Sequence, residues 1–170
     1  MQKEMTYEQA KSKLEALCSQ RELCEKEVRD RLQKWGMEDG DQEKIIAHLK
    51  KEKYVDDIRF ATFFVKDKYN LSHWGKSKIV FELRNRRISS DVIEEAIIQI
   101  PDEEYSSQLE ELLKKKRGSI KKGTPYEIGA KLIRFGISKG YESGLVIKAT
   151  KKIINTNNNT TDYEDEWNDL

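Results

Sequence analysis

The sequence predicts an all-α protein built from three tandem three-helix repeats, and composition, helix signals and an internal repeat support that fold class. Only 9 of the 170 residues are Gly and 2 are Pro, too few for the turns of a β-sandwich or a β-barrel. Charged residues make up 37% of the chain and hydrophobic residues 36%, a balance typical of helices with one buried stripe and one solvated face.

The first repeat, residues 1–55, contains three predicted helices. Thr6 and Gln9 form a capping box that begins the first helix. The second helix is expected from about Cys24 to Trp35, and the third from about Gln42 to Lys51.

The second repeat, residues 56–100, has helices expected at about residues 57–69, 76–86 and 91–100. Either Asp56 or Asp57 can cap the first of them, and Ser90 can cap the third. Pro101 then prevents the third helix from continuing.

The third repeat, residues 101–154, begins with a helix expected at about residues 102–117. Thr124, Pro125 and Glu127 supply a second capping box with Pro at the first helical position. A final helix is expected at about residues 141–154.

An apolar pattern recurs once in each repeat. It consists of an apolar residue, another four positions later, a helix-stop position four after that, and an apolar residue immediately following. Its members are Val28, Leu32, Gly36 and Met37, then Ile79, Leu83, Arg87 and Ile88, then Ile128, Leu132, Gly136 and Ile137. After the first copy, the next apolar residue of the pattern comes four positions later than after the other two copies. The four extra residues lie in a polar loop predicted at residues 38–42. A spacing near 50 residues indicates repeated units, each too small to bury its apolar face alone.

The net charge of +1 is unevenly distributed along the chain. Residues 155–170 hold five acidic side chains and no Lys or Arg, so residues 1–154 carry a net charge of +6. The final segment is also dense in Asn and Thr, which compete with the helical backbone for hydrogen bonds. We expect residues 155–170 to be a disordered acidic tail on a basic helical body.

Membrane and export functions are not expected. The longest mostly apolar stretch, residues 60–65, is far shorter than the roughly 20 residues that cross a bilayer. Residues 1–15 lack the apolar core of a signal peptide. Cys18 and Cys24 match neither a metal-ligand spacing nor a disulfide framework. We therefore expect a cytoplasmic protein.

Enzyme functions find little support in the sequence. His48 and His73 fall in different repeats, with no Cys or carboxylate nearby at metal-ligand spacing. Residues 118–124 have the glycine spacing of a phosphate loop but lack the Lys before Thr124. No carboxylate pair stands in apolar surroundings that would shift its pKa. We predict a protein that is not an enzyme and needs no metal or cofactor.

The first helix of the second repeat is apolar around most of its circumference, so we expect it to be buried between other helices. Its apolar side chains are Ile58, Phe60, Ala61, Phe64, Val65 and Tyr69. Arg59 and Lys66 lie on the remaining strip and form either one ordered basic stripe or two solubilising charges. Phe81, on the next helix, is either an aromatic anchor for a partner or packs against a neighbouring repeat.

A longer set of residues carries a family resemblance. It comprises Tyr54-Val55-Asp56-Asp57-Ile58-Arg59-Phe60-Ala61, Val65-Lys66-Asp67-Lys68, Gly75-Lys76-Ser77-Lys78-Ile79 and Glu82-Leu83, with Ala16-Leu17, Arg21, Glu25, Glu27-Val28 and Leu32 upstream. These types and spacings resemble RecX, the bacterial regulatory protein of the RecA recombinase. The resemblance covers about residues 7–154. Three departures are Cys24 where the family commonly has Ser, Arg87 where it has Gly, and the acidic tail.

The resemblance implies a function as well as a fold. It implies tandem three-helix units in an elongated, curved array that binds the RecA–DNA filament. Binding would modulate, mainly inhibit, RecA ATP hydrolysis, strand exchange and filament growth in DNA recombination, DNA repair and the SOS response. The charge of +6 on residues 1–154 favours an acidic protein groove or DNA, single- or double-stranded, as a partner. We expect a monomer that contacts the filament through Arg59, Lys66, Lys76, Lys78, Phe81, Arg84, Arg86 and Arg87. The alternative function is a helical nucleic-acid-binding module that contacts phosphates.

Overall fold

The computed structural model describes residues 5–157, which form nine α-helices and no strand. The helices are α1 (Tyr7–Gln20), α2 (Glu25–Lys34), α3 (Asp39–Lys51), α4 (Asp57–Asn70), α5 (Lys76–Asn85), α6 (Ser90–Ile97), α7 (Asp102–Ser119), α8 (Pro125–Ser138) and α9 (Ser143–Asn157). The all-α prediction is confirmed.

Both predicted capping boxes are present. The Thr6 hydroxyl accepts a hydrogen bond from the Gln9 N–H at 3.3 Å, and the Gln9 side chain accepts one from the Thr6 N–H at 3.1 Å. Thr124 and Glu127 make the same two bonds at 3.2 and 2.9 Å, with Pro125 as the first residue of α8. Because these bonds satisfy N–H groups that a helix start leaves without partners, α1 and α8 begin where the sequence predicts.

The second helix of each three-helix set ends in the same way. Gly36, Arg87 and Gly140 have φ angles of +73°, +59° and +91°, in the left-handed region. The N–H of the next residue then donates to a carbonyl five positions back, at 3.1 to 3.2 Å; the pairs are Met37 to Leu32, Ile88 to Leu83 and Tyr141 to Gly136. This is the Schellman pattern of helix termination.

The third copy of the apolar pattern is therefore wrong by four residues. Gly136 lies inside α8 and corresponds to Leu32 and Leu83, while Gly140 is the helix-stop position. Gly136 resembles a stop in the sequence, but its role is close packing, because a Cβ there would lie 2.7 Å from Cγ1 of Val146.

Several predicted helix limits are also corrected. The loop predicted at residues 38–42 is wrong, because α3 begins at Asp39 and the buried Gln42 side chain donates to the Met37 carbonyl at 2.8 Å. Ser90 is the first residue of α6, so it does not cap that helix, which ends at Ile97. Helix α9 begins two residues later than predicted and includes residues 155–157 of the predicted tail. Residues 158–170, the rest of that tail, lie outside the described residues.

The chain divides into two compact units that each combine separate stretches of sequence. The first unit comprises Met1–Asp67 and Phe81–Ile97, and the second comprises Lys68–Val80 and Ile98–Leu170. A core in the first unit is formed by Ala10, Leu14, Leu23, Val28, Leu32, Ile45, Ile46, Leu49 and Val55. Buried residues of the second unit include Tyr105, Leu109, Leu113, Leu132, Tyr141, Val146 and Ile153.

Helix α4 buries most of its predicted apolar side. Phe60 and Phe64 are buried and their rings stack with centroids 5.8 Å apart. The prediction is wrong for Ile58, which is 57% exposed. Helical side chains lean toward the N-terminus, so Ile58, in the first turn, projects beyond the start of the helix.

None of the helices within residues 5–157 combines the length and hydropathy needed to cross a bilayer. Over the same residues, no three His, Cys, Asp or Glu side chains group closely enough to hold a metal ion.

Candidate partner-binding surfaces

The start of α2 is capped by a residue from the next three-helix set. Cys24 occupies the N-cap position and its thiol makes no capping hydrogen bond. The N–H of Glu25 donates instead to Oδ1 of Asp57, the first residue of α4, at 3.0 Å. Burial raises the pKa of the Asp57 carboxyl, although the bond from Glu25 acts in the opposite direction. Asp57 therefore satisfies the first N–H of α2, which a side chain at the N-cap position does not bind, because that side chain accepts from the second or third helical N–H.

A polar cleft of about 350 Å³ lies beside this cap in the first unit, and it contains two of the predicted contact residues. It is lined by Glu25, Lys26, Arg29, Asp57, Arg86 and Arg87. Hydrogen bonds from Lys50 and Arg29 lower the pKa of Glu25. The pairing of Arg29 with Glu43 and Glu25 raises the pKa of that guanidinium. These charges are largely satisfied inside the protein.

Arg86 and Arg87 differ in how they are held. Arg86 pairs with Glu82 at 2.7 Å and approaches Glu27 at 3.8 Å, and its guanidinium lies 4.9 Å from the centroid of the Phe64 ring. Arg87 is exposed, and it forms no ion pair with any residue that the structure describes. Of the two, Arg87 is the cation that can meet a partner.

Arg59 and Lys66 are both exposed, but Arg59 is held by hydrogen bonds to its own unit. The Arg59 guanidinium donates to Glu22 at 2.7 Å and to the Lys53 carbonyl at 3.1 Å. The bond to Glu22 raises the pKa of Arg59. Lys66 lies seven residues later on α4 and is open to solvent.

Lys76 and Lys78 belong to the second unit, while the other six predicted contact residues belong to the first. The Lys76 ammonium pairs with Asp102 at 2.8 Å and lies 4.8 Å from the Tyr105 ring centroid. Its backbone N–H donates to the Tyr105 hydroxyl at 2.9 Å, and that hydroxyl donates to Glu142 at 2.8 Å. Burial is the main cause that raises the pKa of Tyr105.

Phe81 is 60% exposed. That exposure contradicts the expectation that it packs against a neighbouring repeat. An aromatic side chain open to solvent on a helix agrees with the other alternative, an anchor for a partner. Arg84, on the same helix, is exposed as well.

Comparison with known proteins identifies the family. The family model for the second three-helix domain of RecX matches residues 56–97, and the model for the third three-helix domain of RecX matches residues 102–150. The chain belongs to the RecX family. Proteins named "Regulatory protein RecX" are 38% identical over 133 residues in Clostridium botulinum and 34% identical over 149 residues in Oceanobacillus iheyensis. These alignments cover 77% and 88% of this chain but 62% and 53% of the relatives.

Solved RecX structures share the fold. The crystal structure of RecX from Lactobacillus salivarius matches with a TM-score of 0.75 at 18% identity, over 86% of this chain and 96% of that one. A second crystal structure of regulatory protein RecX matches with a TM-score of 0.75 at 20% identity, over 85% of this chain and 74% of that one.

Two departures from the RecX pattern now have structural accounts. At position 24 the thiol makes no capping hydrogen bond, and the first N–H of α2 is bound instead by Asp57 from α4. Arg87 adopts the left-handed conformation that Gly adopts at the corresponding position 36, so the helix stop is kept with a non-glycine residue. The exchange adds an exposed cation to this chain at a backbone conformation that disfavours a Cβ.

Sequence reasoning missed the cap from Asp57 and a group of lysines around two aromatic rings. Trp74 lies under the ammonium groups of Lys68 and Lys78. The spacing of a Trp with a Lys six residues before it and four after it could have suggested that contact.

Proposed function

We propose that this protein is a non-enzymatic regulator that binds the RecA–DNA filament and inhibits its ATP hydrolysis, strand exchange and growth. The observation that carries the proposal is the match of two consecutive RecX three-helix domains over residues 56–97 and 102–150. The similar proteins carry the name of a regulatory protein, and this name points to a binding function.

Helices α4 and α5 provide the first surface to test. Lys66, Arg84 and Arg87 are exposed and form no ion pair with a residue between positions 5 and 157. Arg59 and Arg86, by contrast, already bind carboxylates of their own unit. Exposed cations without a partner lose no internal ion pair when they meet an acidic surface. Phe81 adds an exposed ring of the kind enriched at interface centres.

The proposal is tested by titrating the purified protein against ATP hydrolysis by RecA on single-stranded DNA. A filament regulator inhibits at amounts well below one copy per RecA, whereas a protein that merely covers DNA needs enough copies to saturate the strand. Inhibition that appears only at strand saturation would reject the filament function.

The surface is tested by reversing two charges, Arg84→Glu with Arg87→Glu. Lys34→Glu with Lys51→Glu is the matched control, because it makes the same change of charge at two exposed helix ends of the same unit. We expect the Arg84 and Arg87 reversal to raise the concentration needed for half inhibition at least tenfold, which corresponds to about 1.4 kcal/mol of binding. The control pair should change that concentration less than threefold. Equal effects of the two pairs would show that general charge, and not this surface, controls inhibition.

A further inference from the structure

The positive charge of the described chain is concentrated in the second unit. Its described residues, 68–80 and 98–157, hold 15 Lys and Arg and 7 Asp and Glu, a net charge of +8. The described residues of the first unit, 5–67 and 81–97, hold 16 basic and 18 acidic residues, a net charge of −2. An anionic polymer is therefore attracted mainly by the second unit.

Four lysines of this unit lie over two aromatic rings. The ammonium groups of Lys78 and Lys68 are 4.5 and 5.5 Å from the centroid of the Trp74 ring. On α7 and at the end of α8, Lys116 and Lys139 lie 5.2 and 5.9 Å from the centroid of the Phe135 ring. We call these six residues the Trp74–Phe135 surface.

Lys139 joins the two halves of the Trp74–Phe135 surface. Its ammonium also approaches the carbonyl of Ser72 at 3.4 Å, in the turn that carries Trp74. The neighbouring backbone fixes this arrangement, since the Gly75 N–H donates to the Lys139 carbonyl at 2.8 Å. A Cβ on Gly75 would lie 2.1 Å from the Gly140 oxygen. The backbone beside Trp74 and the backbone at the end of α8 are therefore in direct contact, which limits how far the two rings can move apart.

Three of the four lysines of this surface differ from other lysines of the unit in their partners. Lys78, Lys116 and Lys139 form no ion pair with a carboxylate anywhere in residues 5–157. Other lysines of the unit do, such as Lys76 with Asp102 at 2.8 Å. These three lysines are half-buried, and a cation–π contact is worth about 0.5–1 kcal/mol at an exposed site and about 2 kcal/mol or more when it is desolvated. Turning to a phosphate replaces that contact with a charge-assisted hydrogen bond and leaves the ring to another flat group.

We propose that the Trp74–Phe135 surface binds single-stranded nucleic acid. The lysines bind successive phosphates, and unpaired bases stack on the two rings that the lysines vacate, as expected for a cationic surface with aromatic platforms. A duplex offers the phosphates but keeps its bases stacked away from the rings. The inference is independent of the recombinase proposal, because it concerns nucleic acid in the absence of RecA.

The test measures binding of fluorescein-labelled oligo(dT) of about 20 nucleotides to the full chain, by anisotropy over a series of salt concentrations. The variant is Lys78→Gln with Lys139→Gln, and the control is Lys148→Gln with Lys151→Gln, which removes the same charge from α9 of the same unit. Circular dichroism checks that both variants are folded.

Two lost phosphate contacts should reduce the slope of log K against log salt by about 1.4, since each contact on a single strand contributes about 0.7. If the proteins bind alike near 1 M salt, this slope corresponds to roughly 25-fold weaker binding at 0.1 M. The control should bind within about threefold of the wild type. Equal slopes and affinities for the variant and the control would overturn the proposal.

A second measurement needs no change in the surface itself. With Trp35→Phe and Trp167→Phe, Trp74 is the sole tryptophan, and stacking of a base should quench its fluorescence. Oligo(dT) should quench it, while a duplex of equal length and poly-glutamate of equal charge should not. Unchanged emission with bound oligo(dT) contradicts the stacking. Displacement of oligo(dT) by poly-glutamate at equal charge concentration assigns the surface to acidic polypeptides instead and also overturns the proposal.

Discussion

The cap of α2 by Asp57 gives the sharpest stability prediction. Asp57→Ala removes the acceptor for the Glu25 N–H, which is 3.0 Å from Oδ1 in the wild type. Cys24 offers no replacement, because a side chain at the N-cap accepts from the second or third helical N–H and Glu25 carries the first. Loss of a helix cap costs about 0.5–2 kcal/mol, and a buried N–H left without an acceptor costs about 1–3 kcal/mol. We expect Asp57→Ala to lower the free energy of unfolding by about 2 kcal/mol.

Asp57→Asn separates the role of the acceptor from the role of the charge. The amide oxygen can still accept the bond from Glu25. Because burial raises the pKa of Asp57 above its ordinary value of 3.8, ionisation of this carboxyl is less favourable in the folded protein than in the unfolded chain. The contribution that this shift makes to stability is present below pH 3.8 and is lost as the pH rises through the higher folded-state pKa. At pH 7 we therefore expect Asp57→Asn to be at least as stable as the wild type.

Urea unfolding followed by circular dichroism at pH 7 measures these differences. Glu94→Ala, at an exposed position on α6, is the control and should change stability by less than about 0.5 kcal/mol. If Asp57→Asn is as destabilising as Asp57→Ala, the charge and not the acceptor matters, and the capping argument is refuted.

Three further substitutions test other backbone features by the same unfolding measurement. Gly75→Ala should destabilise by more than about 2 kcal/mol, because its Cβ would lie 2.1 Å from the Gly140 oxygen, whereas Gly144→Ala, with no atom within 4 Å, should not destabilise. Arg87→Gly should stabilise by about 1 kcal/mol, because φ is +59° there; a loss of stability would mean that the arginine side chain compensates for the strain. Tyr105→Phe should cost about 1–3 kcal/mol, because the hydroxyl holds two hydrogen bonds, and a neutral result would contradict that role.

Local signals in the sequence predicted most of the helices. The capping boxes at Thr6 and Thr124 were readable because each depends on two side chains three residues apart, and the structure shows both. Gly136 was wrongly predicted to end a helix, because glycine occurs both at helix ends and where a neighbouring side chain packs closely against the backbone. Only the packing of Val146 against Gly136 distinguishes these two roles. The length of α3 was missed because Gly40 and three acidic residues resemble a loop, although acidic groups stabilise a first turn.

Contacts between segments far apart in the chain could not be predicted from the sequence. The bond from Glu25 to Asp57 joins residues 32 positions apart, and Lys139 approaches Ser72 across 67 positions. Neither partner carries a local signal for the other. The charge of the predicted cations could not separate Arg59 and Arg86, which bind carboxylates, from Arg87, which does not.

The caps of the three second helices reveal how the sets depend on one another. The first N–H of α2 is bound by Asp57 from α4, and the first N–H of α5 is bound by Tyr105 from α7. Helix α8 instead carries its own capping box. In each of the first two sets, the second helix therefore needs a side chain from the following set to satisfy its start. Such bonds make the folding of neighbouring sets cooperative, as in other repeat proteins whose stability resides partly in the interfaces, while the described part of the third set meets the same need locally.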